Sequence, residues 1–395
     1  MRSLERVRGL LAGKPVDHLP VQPVIMMYAA KHAGMPYIEY TKDGRKMAQA
    51  QIKVVRDFGI DCLLTCSDPA REVFDIAGEG SINWYEDQGP AICEERAALL
   101  DKSRLRTFKL PDPLGGGRMH DRIRAIEIMY QEFGGEVSIV GWVEGPLALA
   151  GELRGLTHVM TDFLDDPVFV NDLLDFNAEV AMRYAEAQIQ AGADTIGMSD
   201  AAACMIGPRY YGEFLLPRQM RVVESIRKSH PDVIVRLHMC GSTDPLISQM
   251  RQLPVQVFEL DSPTNLAAAR ASLGPERVIL GNVSTITEML EGTAEEVYEA
   301  SRRCHRTCGR FHIVGCGCEV SPMTSPDNLR AMVRYAREHQ PEEFSVQPQP
   351  TPHPSRGPLY CIGIAGYPLP SGEGKGPLYR LFAGNGQKRN LAHEN

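Results

Sequence analysis

His238 and Cys240, in the run Arg236-Leu-His-Met-Cys-Gly-Ser242, and Cys318, in Gly315-Cys-Gly-Cys-Glu-Val320, are the residues of this chain best suited to chemistry. The stretch 233–237 ahead of the His-x-Cys pair alternates and is β-branched like a strand, and 311–314 precedes the two later cysteines in the same way. An imidazole and one or two thiolates, delivered from the carboxyl ends of two strands, are what a tetrahedral zinc site with an open fourth position requires. The pattern therefore predicts a catalytic metal. Glu259 or Asp261 stands where a fourth ligand could come from, Asp261 being preferred; the competing role for either acid is to cap the loop before Pro263.

The elements that must position these groups read as a regular alternation. Strand-like runs fall at 19–24, 60–65, 137–142, 194–198, 233–237, 255–258, 277–280 and 311–314. Helical patterns fall at 42–58, 117–133, 167–190, 208–228, 245–252, 266–273, 293–306 and 326–338. Eight short apolar strands alternating with helices predict an α/β chain folded as a (β/α)8 TIM barrel, with an open doubly wound sheet as the alternative. Barrel enzymes place their chemistry at the carboxyl ends of the strands. Just past each expected strand come Met26 and Met27, then 66–68, Glu144, Ser199 with Asp200, His238 with Cys240, Glu259 with Asp261, Asn282, and Cys316 with Cys318. Glu144 and Asp200 at that mouth are candidates to orient a substrate or relay its proton; acids at strand ends also serve as plain helix caps.

The remaining cysteines and histidines point elsewhere. Cys316 competes with Cys318 as a ligand, because alternate residues of a strand face the same way. Cys304, His305 and Cys308 end the helix that enters the last strand from the opposite face, roughly 17–20 Å from the mouth, and are expected to be structural. Ten cysteines in 395 residues are too few for a disulfide scaffold, and the first residues carry no apolar signal core. A reducing, cytoplasmic setting is the expectation. No apolar run suggests a membrane span, and a net charge of −8 without a Lys/Arg block argues against nucleic acid as partner. Residues 341–395 hold nine prolines and eight glycines, a composition expected of a disordered or loosely docked tail following a barrel domain over 1–340.

Four ordered motifs carry a resemblance. They are Gly145-Pro-Leu-Ala-Leu-Ala-Gly-Glu-Leu-Arg-Gly155, Ser199-Asp-Ala-Ala-Ala203 with Ile206-Gly-Pro-Arg-Tyr-Tyr-Gly-Glu-Phe-Leu-Leu-Pro217, the His-Met-Cys-Gly, and Gly317-Cys-Glu-Val-Ser-Pro-Met-Thr-Ser-Pro-Asp-Asn-Leu329. Over roughly 1–340 the chain resembles the uroporphyrinogen decarboxylase superfamily, and within it the zinc-dependent corrinoid methyltransferases. That resemblance implies a (β/α)8 barrel, preceded by a helical segment, and zinc held by His238, Cys240 and Cys318. It also implies methyl transfer between a small substrate, such as a thiol or methyl ether, and cobalamin on a separate corrinoid protein, since no corrinoid-binding motif is found here. The decarboxylase branch of the superfamily carries arginines in an early run for its polycarboxylate substrate. The corresponding stretch here, Val21-Gln-Pro-Val-Ile-Met-Met-Tyr-Ala-Ala-Lys31, has none.

Overall fold

The computed structural model describes residues 1–344; most of the expected tail, 345–395, lies outside the described residues. Among these residues nine short strands follow one another: β1 Cys62–Leu64, β2 Ile82–Asn83, β3 Ala91–Ile92, β4 Ser138–Glu144, β5 Thr195–Ser199, β6 Ile234–Met239, β7 Val257–Leu260, β8 Val278–Leu280 and β9 His312–Ile313. Seven form one parallel sheet in the order β1-β4-β5-β6-β7-β8-β9, while β2 and β3 pair as a small antiparallel hairpin that the sequence reading did not anticipate. Strands such as Ser138–Glu144 and Thr195–Ser199 are buried on both faces, as parallel strands wrapped by helices must be.

The first expected strand, 19–24, is extended but forms no regular strand. Pro20 and Pro23 deny it two ladder donors. It pairs residue by residue instead: Gln22 N donates to Val314 O at 2.8 Å, Val314 N to Pro20 O at 2.9 Å, and Asp61 N to Val21 O at 2.8 Å. This segment links β9 to the residue before β1, and the curled sheet closes as a barrel.

The amino-terminal helix Ser3–Leu11 closes one end. Its Val7 and Leu10 pack with Ile234, Val257 and Val278, the first residues of three neighbouring strands. Arg6, buried on the same helix, donates to Asp61 at 2.6 Å, and Asp61 in turn accepts from Val21 N. The plugged end is thus the amino end of the strands, leaving the carboxyl end for a site. Around the barrel, the helices Gly44–Phe58, Arg118–Phe133, Pro167–Gln190, Leu266–Leu273, Ala294–Cys308 and Pro326–Glu338 lie where the periodicity places them. The expected helix 208–228 is interrupted: a π turn over Tyr211–Leu215 precedes Leu216–Ser229, in front of Pro217, whose missing N–H breaks regular α-helical bonding.

Candidate active site

His238 and Arg236 occupy alternate positions on β6 and both point into the barrel, where His238 pairs in register with Glu259 on β7 and Ser199 on β5. Cys240 follows β6 directly. Cys318 arrives from the loop after β9, and Gly317 before it is required: a Cβ there would lie 2.3 Å from the Ser262 nitrogen. The result is a compact triangle. Cys240 Sγ lies 3.4 Å from His238 Nε2, Cys318 Sγ lies 3.9 Å from the same nitrogen, and the two sulfurs are 3.8 Å apart. Tetrahedral zinc, with Zn–S near 2.3 Å and Zn–N near 2.0–2.1 Å, places two sulfurs about 3.8 Å apart and sulfur about 3.5 Å from nitrogen. The donor set and its spacing fit that ion, and among the described residues no second group of this kind forms.

The layer beneath the triangle is charged and buried. His238 Nδ1 lies 3.6 Å from Glu259 Oε1, and Arg236 Nε lies 3.0 Å from Glu259 Oε2. Burial alone would lower the imidazole pKa; Glu259, then Cys318, outweigh it and raise it to about 9. The contact with Cys240, opposed by burial and aided by His238, holds the Cys318 thiol well below its ordinary value, while the Cys240 thiol is raised by Cys318 and by burial. Trp142 from β4 packs 6.1 Å from the imidazole and 5.1 Å from the Arg236 guanidinium. A carboxylate behind the second ring nitrogen is the usual way a ligating histidine is oriented. Glu259 therefore sits behind the histidine, on the Nδ1 side, rather than beside the open face.

Asp261 is not among the three residues whose ligand atoms lie within 4.8 Å of one another. Its two oxygens accept from Gly241 N at 2.7 Å and Ser262 N at 2.6 Å, which ties the Cys240 loop to the end of β7. Burial and then Cys318 raise its carboxyl to about 6. Asp200 is fully buried and holds a helix start: Oδ1 accepts from Leu147 N and Ala148 N at 3.0 and 2.8 Å, and Oδ2 from Gln219 Nε2 at 2.8 Å. Burial pushes it up to about 7. Glu144 lies in the mouth, with Oε1 3.0 Å from Arg71 Nη2, a guanidinium it shares with Glu72; burial raises it to about 8. Cys316 is fully buried away from the triangle, its thiol pushed up by burial. Cys304 and Cys308 lie on the outer helix, and His305 stacks on His312 and contacts the Tyr335 hydroxyl.

A cavity of about 250 Å³ opens from the triangle. Its walls include the apolar side chains of Met26, Met27, Trp142 and Ile286 and the acidic side chains of Asp68, Glu144, Asp261 and Glu319. Glu319 was missed by sequence reading, although it directly follows Cys318; it reaches back to accept from Met27 N at 2.8 Å, and burial raises it to about 8. Arg71 and Arg118, also missed, stand behind the wall, each engaged with carboxylates. Among the described residues no lysine or arginine lines the cavity.

A closed parallel α/β barrel with a His/Cys/Cys triangle at the carboxyl ends of its strands is the class that fold and site define. The chain belongs to the uroporphyrinogen decarboxylase (URO-D) family, whose profile matches residues 2–339. It is 26% identical over 341 residues to a Methanosarcina mazei protein named methylcobamide:CoM methyltransferase MtbA, covering 85% of this chain and 97% of that one. It is also 26% identical to the methylated-thiol–coenzyme M methyltransferase of the same organism, covering 86% and 90%. A uroporphyrinogen decarboxylase of Synechococcus is 29% identical over a shorter span, 64% of this chain. In fold, a methyltransferase from Methanosarcina mazei superposes with a TM-score of 0.77 at 22% identity, covering 86% of this chain and 99% of that one.

Proposed function

We propose that this protein transfers a methyl group between a corrinoid carried on a separate protein and a small substrate, such as a thiol or methyl ether, with zinc held by His238, Cys240 and Cys318. The observation that carries the reading is the triangle of ligand atoms, spaced as three corners of a zinc tetrahedron and facing a cavity. Relatives named methylcobamide:CoM methyltransferases, aligned over nearly their whole length, support the corrinoid half of it. Zinc bound there supplies Lewis acidity, lowering the pKa of an entering thiol or polarising the heteroatom of a methyl donor.

The chain's own residues do the rest. Cys240 and Cys318 provide two thiolates that cancel the charge of the ion, so an entering sulfur keeps its nucleophilicity. Glu259 fixes the His238 ring with Nε2 toward the cavity. Glu144, at about 8, is poised near neutrality to take up the substrate thiol's proton or return it. Asp200 acts by position: with its oxygens spent on Leu147, Ala148 and Gln219, it anchors the helix Pro146–Arg154 that follows Glu144. A wall without lysine or arginine speaks against a tetrapyrrole polycarboxylate as substrate, and three ligands beside a cavity speak against a purely structural zinc.

The test joins metal analysis to an assay with methylcobalamin and thiols, following loss of the carbon–cobalt bond and appearance of the methyl thioether. One zinc per chain and thiol-dependent demethylation are expected. His238→Ala and Cys318→Ala should lose both zinc and activity, whereas Cys316→Ala should keep the metal. Full zinc and full activity in Cys318→Ala would refute the assignment.

A further inference from the structure

Resting on that reading of the metal site, we propose that the cavity selects a small neutral or cationic substrate and discriminates against one with an anionic tail. The argument begins with what an anion needs in a protein: a cation, or main-chain N–H groups such as those at a helix start. At this mouth six main-chain donors are already engaged by the chain's own carboxylates. Met27 N donates to Glu319, Ala70 N to Asp68 at 3.1 Å, Leu147 N and Ala148 N to Asp200, and Gly241 N and Ser262 N to Asp261.

Terminal nitrogens of the guanidinium groups nearby are also paired with carboxylates. Arg118 forks both nitrogens onto Asp68 at 2.6 Å each, and Arg71 is shared between Glu72 and Glu144. Neither reaches the cavity wall.

Apart from the neutral donors of Ser199, Thr285 and Trp142, the wall offers a substrate tail acceptors and no cation. Glu144 and Glu319 each use one carboxyl oxygen within the protein, and their other oxygens have no hydrogen-bond partner among the described residues, in side chains that line the cavity. The discrimination holds whichever of these acids is ionised. Ionised, they repel an anion across a desolvated space where charges act strongly; protonated, they still supply no positive charge. An ammonium or hydroxyl tail finds acceptors in either case. The coenzyme M named for the relatives ends in a sulfonate, so the preference drawn here separates this chain from them in substrate while keeping the chemistry at sulfur.

The experiment compares three thiols of one length on the zinc-loaded full chain: 2-aminoethanethiol, 2-mercaptoethanol and 2-mercaptoethanesulfonate. Binding is read by calorimetry at low ionic strength and neutral pH, and methyl transfer from methylcobalamin in parallel. The amine and alcohol should bind at least tenfold more tightly than the sulfonate, and Glu144→Gln combined with Glu319→Gln should narrow that gap. Equal or tighter binding of the sulfonate, with methyl transfer intact, would overturn the substrate class and leave the metal-site reading standing. Failure of all three thiols to bind zinc-loaded protein would overturn the metal-site reading and this inference with it.

Discussion

Glu259 carries two obligations at once, and its removal separates them. It orients His238 and is the counter-charge of Arg236, which is 1% exposed. Glu259→Gln should weaken zinc affinity by about 10–100-fold, the usual effect of losing the partner behind a ligating histidine. It should also cost about 3–5 kcal/mol, because a buried guanidinium is left unpaired. Neutralising Arg236 as well, with Arg236→Met, should recover most of the stability and none of the affinity, which zinc titration and denaturant unfolding can separate. Asp200 offers a pH test. Its folded-state pKa of about 7 lies above the unfolded carboxylate value, so the folded chain keeps a proton that the unfolded chain releases. Native stability should fall as pH rises from about 4 to about 7, by at most about 1.4 kcal/mol per unit, and level off above. Melting curves of Asp200→Asn against the natural protein should diverge across that window; a constant difference would show that the carboxyl is not shifted.

At the scale of elements, the site depends on how two strand ends are allowed to meet. Cys318 reaches the triangle because the loop after β9 passes against the end of β7 with only Gly317 between them. In Gly317→Ala the new Cβ would meet backbone atoms of Ser262 and Asp261, at 2.3 and 2.9 Å, which cannot yield as a side chain tip can. The loop must shift, and we expect zinc affinity to drop at least tenfold, with stability losing about 1–3 kcal/mol. Unchanged affinity in a zinc titration would mean that the loop has slack that the geometry does not suggest. Most of the outer helices followed their periodicity. The helix Ala294–Cys308 begins where Thr293 and Glu296 form a capping box, one of the local signals a sequence states openly.

Among the described residues the core is buried apart from the proposed metal site. Apolar side chains of all the barrel strands and the enclosing helices form two clusters, and neither needs the triangle to hold together. Chelation should therefore lower the melting temperature by only a few degrees, through loss of ligand binding to the folded state, while far-ultraviolet dichroism keeps its helical signal. Collapse of that signal on chelation would instead make the zinc a folding element, as in small zinc-dependent domains. Among the described residues no helix is long and apolar enough to cross a membrane.

The barrel, most of its helices and the three ligand candidates were legible in the sequence because each rests on local information. Strand and helix periods repeat within a few residues, and a thiol or imidazole at a strand end declares itself by type. The proline-broken segment 19–24 and the hairpin β2–β3 were not, since pairing between distant segments decides them. Nor could spacing choose Cys318 over Cys316. The family resemblance pointed to Cys318, and in the structure it is the Cys318 sulfur that lies 3.8 Å from Cys240. The acids show the same division. Sequence placed Glu144, Asp200, Glu259 and Asp261 at one face, but only the fold revealed which donors each had already taken. A carboxylate's role follows from its partners, and partners are set in three dimensions.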